Sequence, residues 1–597
     1  MCRIAGIANP TLTNDAIAAL VAVMCNTLKN GGPDDEGFYT NESAKLTLGH
    51  RRLSIIDLSS SGHQPMHYQQ DRYTITYNGE LYNYLDLKNQ LISFNCKFTT
   101  NTDTEVILAA FATWGELSFN KLQGMFAFAI WDNQAKQLFL VRDASGIKPL
   151  YFAYSVNNGL AFASEVKALQ KVPYLNIPNP NWQVYFMAYG HLPEPITILK
   201  DVQPLTKGNY LKYDACNNSF SIHCYKQFYF IEKLQNKNEV IQKLYASLNN
   251  AVKSHLISDA PIGVFLSGGL DSSIIALLAN KHHQKINTSS IYFENEQYSE
   301  QKYQNEIQAT LNCTHAQHLL TETDFHQYLP NIIEAMDLPS CDGINSWFIS
   351  KYAKQSGLKA VLSGIGGDEL FGGYPSFDRI NITKNLQSIP ASVLKLSKLT
   401  DSKQLKRLAY LSIPGAIGKY LFLRGQFVPN EIAKQLNASE IEVWNILQNQ
   451  PIVPNIEHLS AKNQVSWMET NLYMQNQLLR DADVMSMAHG IEIRVPFLDT
   501  NFMEMAFQIS SIIKYAGTRG KQLLIDAFKN ELPTSIWNRP KMGFTFPFKE
   551  WLIHQQYSQN TFGSNTKDAH QKLVNNKIHW SQFFTIYLME SNKFNGK

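Results

Sequence analysis

Ser267-Gly268-Gly269-Leu270-Asp271-Ser272-Ser273 stands where an apolar run gives way to a helical pattern. Glycines let backbone N–H groups turn toward an anion, serine hydroxyls add donors, and the following helix offers its positive end, so the string suits phosphate. Asp271 does not bind phosphate directly; it suits Mg²⁺ that neutralises phosphate oxygens. A second glycine-rich run, Ser363 to Tyr374, reads SGIGGDELFGGY and also follows an apolar strand pattern. Two such loops at the carboxyl ends of strands in one sheet face a common crevice, where Asp271 and Asp368 can share a metal. Neither loop has the Gly-Lys-Ser/Thr order of a Walker A motif, so attack at the first phosphate with pyrophosphate leaving is the more natural chemistry. At the other end of the chain, Cys2 follows Met1. Once Met1 is removed, the α-amino group of Cys2, with a reference pKa of about 7.7–8.0, can serve as base for its own thiol.

These residues need elements to hold them. Up to about 212 the chain offers short β-branched and aromatic runs, among them Ile4 to Ile7, Tyr73 to Tyr77, Phe126 to Trp131, Gln137 to Val141 and Leu160 to Ala163. Helical patterns fall at 14–28, 80–92 and 103–114, which predicts an α+β domain with stacked sheets. Residues 213–238 are polar and weakly periodic, as a linker is. From 239 the pattern is strand, turn and helix: a helix over Glu239 to Leu256, strands at Gly263 to Leu266, Ser289 to Phe293 and Lys359 to Leu362, and helices after the first two. That alternation predicts a parallel α/β sheet, followed by a mostly helical stretch from about 380.

The 597 residues predict two to four domains. A net charge of +3 without long runs offers no footprint for nucleic acid or an anionic membrane. The longest apolar run, Ala16 to Cys25, is about half of what a membrane span needs. Seven scattered cysteines without a CxxC pair point away from disulfides and zinc and toward a reducing, cytoplasmic setting.

SGGLDSS resembles the pyrophosphate loop of N-type ATP pyrophosphatases, and SGIGGDELFGGY resembles the paired loop of the asparagine synthetases. Further matches are Met485-Ser486-Met487-Ala488, Arg494 to Asp499 and Arg539 to Phe544, which together cover about 240 to 552. The resemblance implies that a carboxylate of aspartate attacks ATP to form an acyl adenylate, from which ammonia displaces AMP. Ser267, Gly268, Gly269, Leu270, Asp271, Ser272 and Ser273 would then cradle pyrophosphate, while Phe265, Ile291, Ser363 and Gly364 line the nucleotide site. Lys521, after Gly520, would stabilise developing negative charge, and Asp271 with Asp368 would hold Mg²⁺.

Over 1–212, Arg51 to Asp57, Tyr77 to Asn83, Thr102 to Glu105, Gly124 to Phe128 and Arg142 to Tyr151 resemble the class II glutamine amidotransferases. The resemblance implies an N-terminal-nucleophile αββα fold, followed over 239–597 by an ATP pyrophosphatase-like α/β domain with a helical C-terminal part. Glutamine would lie against Arg52, Leu53, Ser54, Ile55 and Ile56, its α-carboxylate on Arg52 and its α-ammonium on Asp103, with Glu80 as a further acceptor. The Asn78 side chain and the Gly79 N–H would form the oxyanion hole beside Cys2; the competing reading of Asn-Gly is a hairpin turn.

Two positions depart from the family. Asn30-Gly31-Gly32-Pro33-Asp34 stands where most members read His-Arg-Gly-Pro-Asp, and Ile365 stands where the asparagine synthetases usually carry the Glu or Asp that handles the intermediate. Isoleucine leaves amide formation without acid–base help, typically worth about 10²–10⁴-fold, or it marks a different acceptor. The expected function is glutamine-dependent asparagine synthesis with glutamine, aspartate and ATP as substrates. Its rivals are amidation of another carboxylate, such as a peptide or sugar acid, and a silent glutamine or ATP sensor. A homodimer is left open, and the helical stretch 380–460, a poor match to the family, reads as packing rather than a docking face.

Overall fold

The computed structural model describes residues 2–386, 389–400, 402–449, 453–543, 546–554, 563–591 and 593–594. Two six-stranded sheets form the first part. Strand Arg3–Ala8 lies inside one of them, antiparallel to Leu46–Arg52 on one side and to Gly159–Ala163 on the other. Alternate residues of a strand face opposite ways. Ile4 and Ala8 therefore pack between the sheets with Trp131 and Leu140, while Ala5 and Ile7 pack outward on Ile17 and Val21 of helix Asn14–Thr27. The second sheet covers its outer face with helices Tyr84–Ser93 and Asp103–Trp114, whose Leu87, Val106 and Ile107 meet Ile75, Tyr77 and Phe128. The layering is αββα, as the resemblance implied.

Two expected boundaries move. The helix expected from residue 80 starts at Tyr84, because Glu80 and Leu81 stay in the ladder opposite Met125 and Gly124. The chain past 212 remains in the sheet: Asn209–Asp214 and Ser219–Cys224 form an antiparallel hairpin, its turn being the Asn-rich stretch that reads as linker. The connection is thus shorter than 213–238 and is tied to the second part by Ile231 N to Phe507 O (3.1 Å) and Leu234 N to Gln508 O (2.8 Å).

The second part holds a five-stranded parallel sheet ordered Cys313–Leu319, Ile286–Tyr292, Ile262–Phe265, Ala360–Leu362 and Glu492–Arg494. The central strand Ile262–Phe265 delivers Ser267 to Asp271, and its neighbour Ala360–Leu362 delivers Ser363 to Asp368, so the two glycine-rich loops leave adjacent strands on the same side. Helices fill most of the remaining chain, and among the described residues none is long and apolar enough to cross a membrane.

Lys514 is an anomaly in this core. It is 1 % exposed, its ammonium has no hydrogen-bond partner, and Phe230, Phe507, Tyr515 and Phe371 surround it with ring centroids 5.3 to 5.8 Å away. Burial pushes it down to about 7, with the charge of Glu232 opposing. The unfolded chain, at about 10.5, binds the proton more readily, so stability rises with pH between about 7 and 10. Melting curves at pH 7 and 9.5 should show the wild type gaining on Lys514→Met by several degrees; parallel curves would contradict the buried, weakly basic lysine.

Candidate functional site

Cys2 lies at the start of strand Arg3–Ala8, 8 % exposed, its Sγ 4.0 Å from Leu53 O. Burial raises the thiol, and the charges of Arg52 and Glu80 act on it in opposite senses, so a nearby base is needed to make the thiolate. Asn78 and Gly79 are not in a turn: both lie within strand Tyr73–Leu81, opposite Ala127 and Phe126. A Cβ on Gly79 would meet Met125 O at 2.2 Å, so no larger residue fits there. The Asn78 amide is fully buried and, among the described residues, neither its nitrogen nor its oxygen has a hydrogen-bond partner, a costly state that a bound ligand would relieve.

Asp103 accepts from Tyr77 OH and Leu81 N, each at 2.9 Å, and burial pushes it up to about 6. Glu80 is raised well above the carboxylate range by burial and by Glu492, with Arg494 opposing at 3.5 Å. Both acids favour an ammonium that would restore their charge. Arg52 is pinned by donation to the backbone oxygens of Asp57 and Ser59. Ser54 N donates to Asp34 Oδ2 (2.8 Å), Ile55 O accepts from Asp259 N (3.0 Å), and Ile56 is half-buried, so 52–56 wraps from the pocket onto the second part. Asn30, at the first departure from the family, is exposed.

At the other end a chamber of about 1180 Å³ opens over the parallel sheet. Every residue expected at the nucleotide lines it except Gly268 and Ser273. Gly268, at φ +78°, turns its carbonyl to Arg539 Nη2 (2.9 Å), and Ser273 is buried in helix Leu270–His282. Ser267 and Ser272 hydroxyls bond each other at 2.8 Å. The loops interlock at glycines: a Cβ on Gly364 would lie 2.9 Å from Asp271 Cβ, and one on Gly367 would lie 2.6 Å from its Cγ. Lys521 Nζ then spans the loops, 2.7 Å from Asp271 Oδ2 and 2.7 Å from Asp368 Oδ1, and Lys541 reaches Asp368 Oδ2 at 2.7 Å. Burial alone would lift Asp368, but the two lysines hold it down to about 2; burial and Asp368 raise Asp271, and the two carboxylates keep Lys521 charged despite its burial. To reach this position Lys521 adopts φ +59°, the left-handed region.

The loop readings found most of this end, but Glu300, which pairs with Arg539 at 2.5 Å, has no sequence signal. Arg539 and Lys541 stood in a matched motif without a role, and Phe544 of that motif lies outside the described residues. Ile365 is half-buried in the chamber wall and packs on the sheet's apolar core. Arg494 links the two ends: its guanidinium meets Glu80 and Glu492, and its backbone oxygen accepts from Ser363 N at 2.8 Å. Gly367→Ala drives a methyl into Asp271, so ATP affinity by calorimetry should fall about 10-fold or more, about 1.4 kcal/mol, with the circular dichroism unchanged. Wild-type affinity in that variant would contradict the interlock.

The chain matches the family model described as asparagine synthase over residues 243–580 and that of the glutamine amidotransferase domain over 1–227. It is 31 % identical to asparagine synthetase (glutamine-hydrolyzing) 1 of Bacillus subtilis (strain 168), over 96 % of this chain and 91 % of that protein. A putative asparagine synthetase (glutamine-hydrolyzing) of Mycobacterium tuberculosis (strain ATCC 25618 / H37Rv) is 30 % identical over 92 % and 87 %, and amidase chry2 of Gibberella zeae 26 % over 94 % and 90 %. A glutamine amidotransferase domain thus precedes an asparagine synthase domain built on a parallel sheet, and the chain belongs to the asparagine synthase family.

Proposed function

We propose that this chain makes asparagine from aspartate, ATP and glutamine. The observation that carries the reading is Lys521, held 2.7 Å from a carboxylate of each glycine-rich loop in the wall of one chamber. Cys2, its thiol deprotonated by its own α-amino group after loss of Met1, attacks the side-chain amide of glutamine. Asn78 Nδ2 and the Gly79 N–H stabilise the oxyanion, ammonia leaves, and water releases glutamate from the thioester. Arg52 takes the glutamine carboxylate, and Asp103 and Glu80 its ammonium.

In the chamber, the β-carboxylate of aspartate displaces pyrophosphate from the α-phosphorus of ATP, and ammonia then displaces AMP to give asparagine. The N–H groups and hydroxyls of Ser267 to Ser272 receive the phosphates, and Lys521 stabilises the charge that builds on them. Asp271 Oδ1 is buried without a hydrogen-bond partner and Asp368 keeps its charge, which fits a pair of Mg²⁺ ligands. Bound there, Mg²⁺ neutralises phosphate oxygens. Ile365 carries no proton, so ammonia must attack as the free base, without help from that position.

Ile365 also supports a second reading, in which the same adenylation serves another carboxylate, such as a peptide or sugar acid. One experiment separates them: purified protein with glutamine, MgATP and aspartate, read by mass spectrometry. Equal amounts of asparagine and AMP support the first reading; glutamate without asparagine moves the acceptor elsewhere. Cys2→Ala should lose at least about 10³-fold of the glutamine-dependent rate and keep the ammonium-dependent rate. Loss of both would mean that Cys2 is not simply the glutaminase nucleophile.

A further inference from the structure

The chamber has a second charged cluster, which begins where the second glycine-rich loop ends at Tyr374. Arg424 closes helix Gly415–Arg424 and lines the chamber with Tyr374, Tyr473 and Asp342. Its guanidinium lies 3.7 Å from the Tyr473 ring centroid and 4.6 Å from that of Tyr374, which fixes its plane. Nε is 2.7 Å from Glu469 Oε2, and Glu469 is itself buried and receives the Ser376 hydroxyl. Among the described residues, Nη1 and Nη2 of Arg424 meet no acceptor. Asp342 lines the same chamber and accepts from Gly343 N through Oδ1 at 2.8 Å, and among the described residues its Oδ2 has no donor. A planar fork of uncommitted donors and an uncommitted carboxylate oxygen thus line one chamber, where the charge of Arg424 acts on Asp342.

This pattern is the complement of an amino acid's backbone end. A guanidinium presents paired N–H groups to a carboxylate, and a carboxylate receives an ammonium. At about 1180 Å³ the chamber exceeds the usual 300–1,000 Å³ of a single-ligand pocket, which leaves room for a nucleotide and an acceptor together. We propose that Arg424 and Asp342 select the acceptor, Arg424 binding the non-reacting carboxylate of a dicarboxylic amino acid and Asp342 its ammonium. The assignment rests on the adenylation reading and names its substrate class. Ile365 is then tolerated because the acceptor is positioned from its far end.

AMP formation with ammonium as nitrogen donor tests this with three probes: aspartate, β-alanine, which lacks the α-carboxylate, and succinate, which lacks the ammonium. A site built to bond a charged group rejects the analogue lacking it by about 10²-fold or more. The wild type should therefore prefer aspartate to both. Arg424→Gln should raise the KM for aspartate about 10-fold or more and bring the aspartate to β-alanine ratio of kcat/KM to within about 3-fold, with the KM for ATP unchanged. Asp342→Asn should do the same for aspartate against succinate. Should Arg424→Gln melt early, as loss of its clamp on Glu469 permits, Asp342→Asn carries the test. Ratios unchanged in folded variants overturn the assignment and leave the adenylation reading standing; a wild type that releases glutamate yet makes no AMP with aspartate overturns both.

Discussion

Asp483 is buried between two cations from the other half of the chain, 2.8 Å from Arg3 and 3.1 Å from Lys148, each 3 % exposed or less. Burial would raise its carboxyl, but the two cations hold it below the ordinary range. Stripping one partner from such a cluster costs about 3–5 kcal/mol, because a charge is then left in the interior without compensation. Arg3 directly follows Cys2, and Asp483 sits two residues after Asp481 on the helix that walls the chamber. The two chemistries are therefore registered by one buried contact rather than by the connecting segment. Arg494 and its carboxylates at Glu80 and Glu492 repeat the arrangement a short way off.

The two ends differ in electrostatic character. At the Cys2 end the acids are raised, Asp103 to about 6 and Glu80 further, and cations are either pinned to backbone or committed to the interface. Such a pocket is only half prepared: it completes its charge when an ammonium arrives, and the unpaired Asn78 amide is satisfied at the same time. At the chamber the situation is reversed. Asp368 is held near 2 and Lys521 stays charged, so the polarity is fixed before any ligand binds, as suits a site that receives a polyanion.

Much of this was legible because glycine, serine and aspartate in a set order have few structural meanings after an apolar strand. SGGLDSS and SGIGGDELFGGY identified both loops and Lys521 followed from its motif. Strand Cys313–Leu319 carries no sequence signal because polar residues break its apolar ones and it is partly exposed along its whole length, as an edge strand permits. Glu492–Arg494 is too short to show a period. The hairpin to Cys224 was hidden by its Asn-rich turn, and Asn78-Gly79 lost its local meaning because cross-strand pairing over Tyr73 to Leu81 overrides a two-residue turn signal. Arg424 and Glu300 meet Glu469 and Arg539 across long stretches of sequence, and Asp342 enters the chamber from a loop; no periodicity encodes such meetings.

Lys521 carries its ammonium on a backbone at φ +59°, a region that costs a residue with a side chain about 1–2 kcal/mol. Gly520 before it is also confined, since a Cβ there would lie 2.8 Å from Gly372 O. Glycine at 521 would relieve that angle, but it would leave Asp271 and Asp368 facing each other in the interior without their shared cation, a loss of about 3–5 kcal/mol that outweighs the strain. A library screened only for thermal resistance would therefore keep the lysine, because the ammonium that serves the chemistry also ties the two loops together. The strain at φ +59° is thus offset by the bridge it permits, so the cohesion of the two loops and the polarity of the site rest on one ammonium.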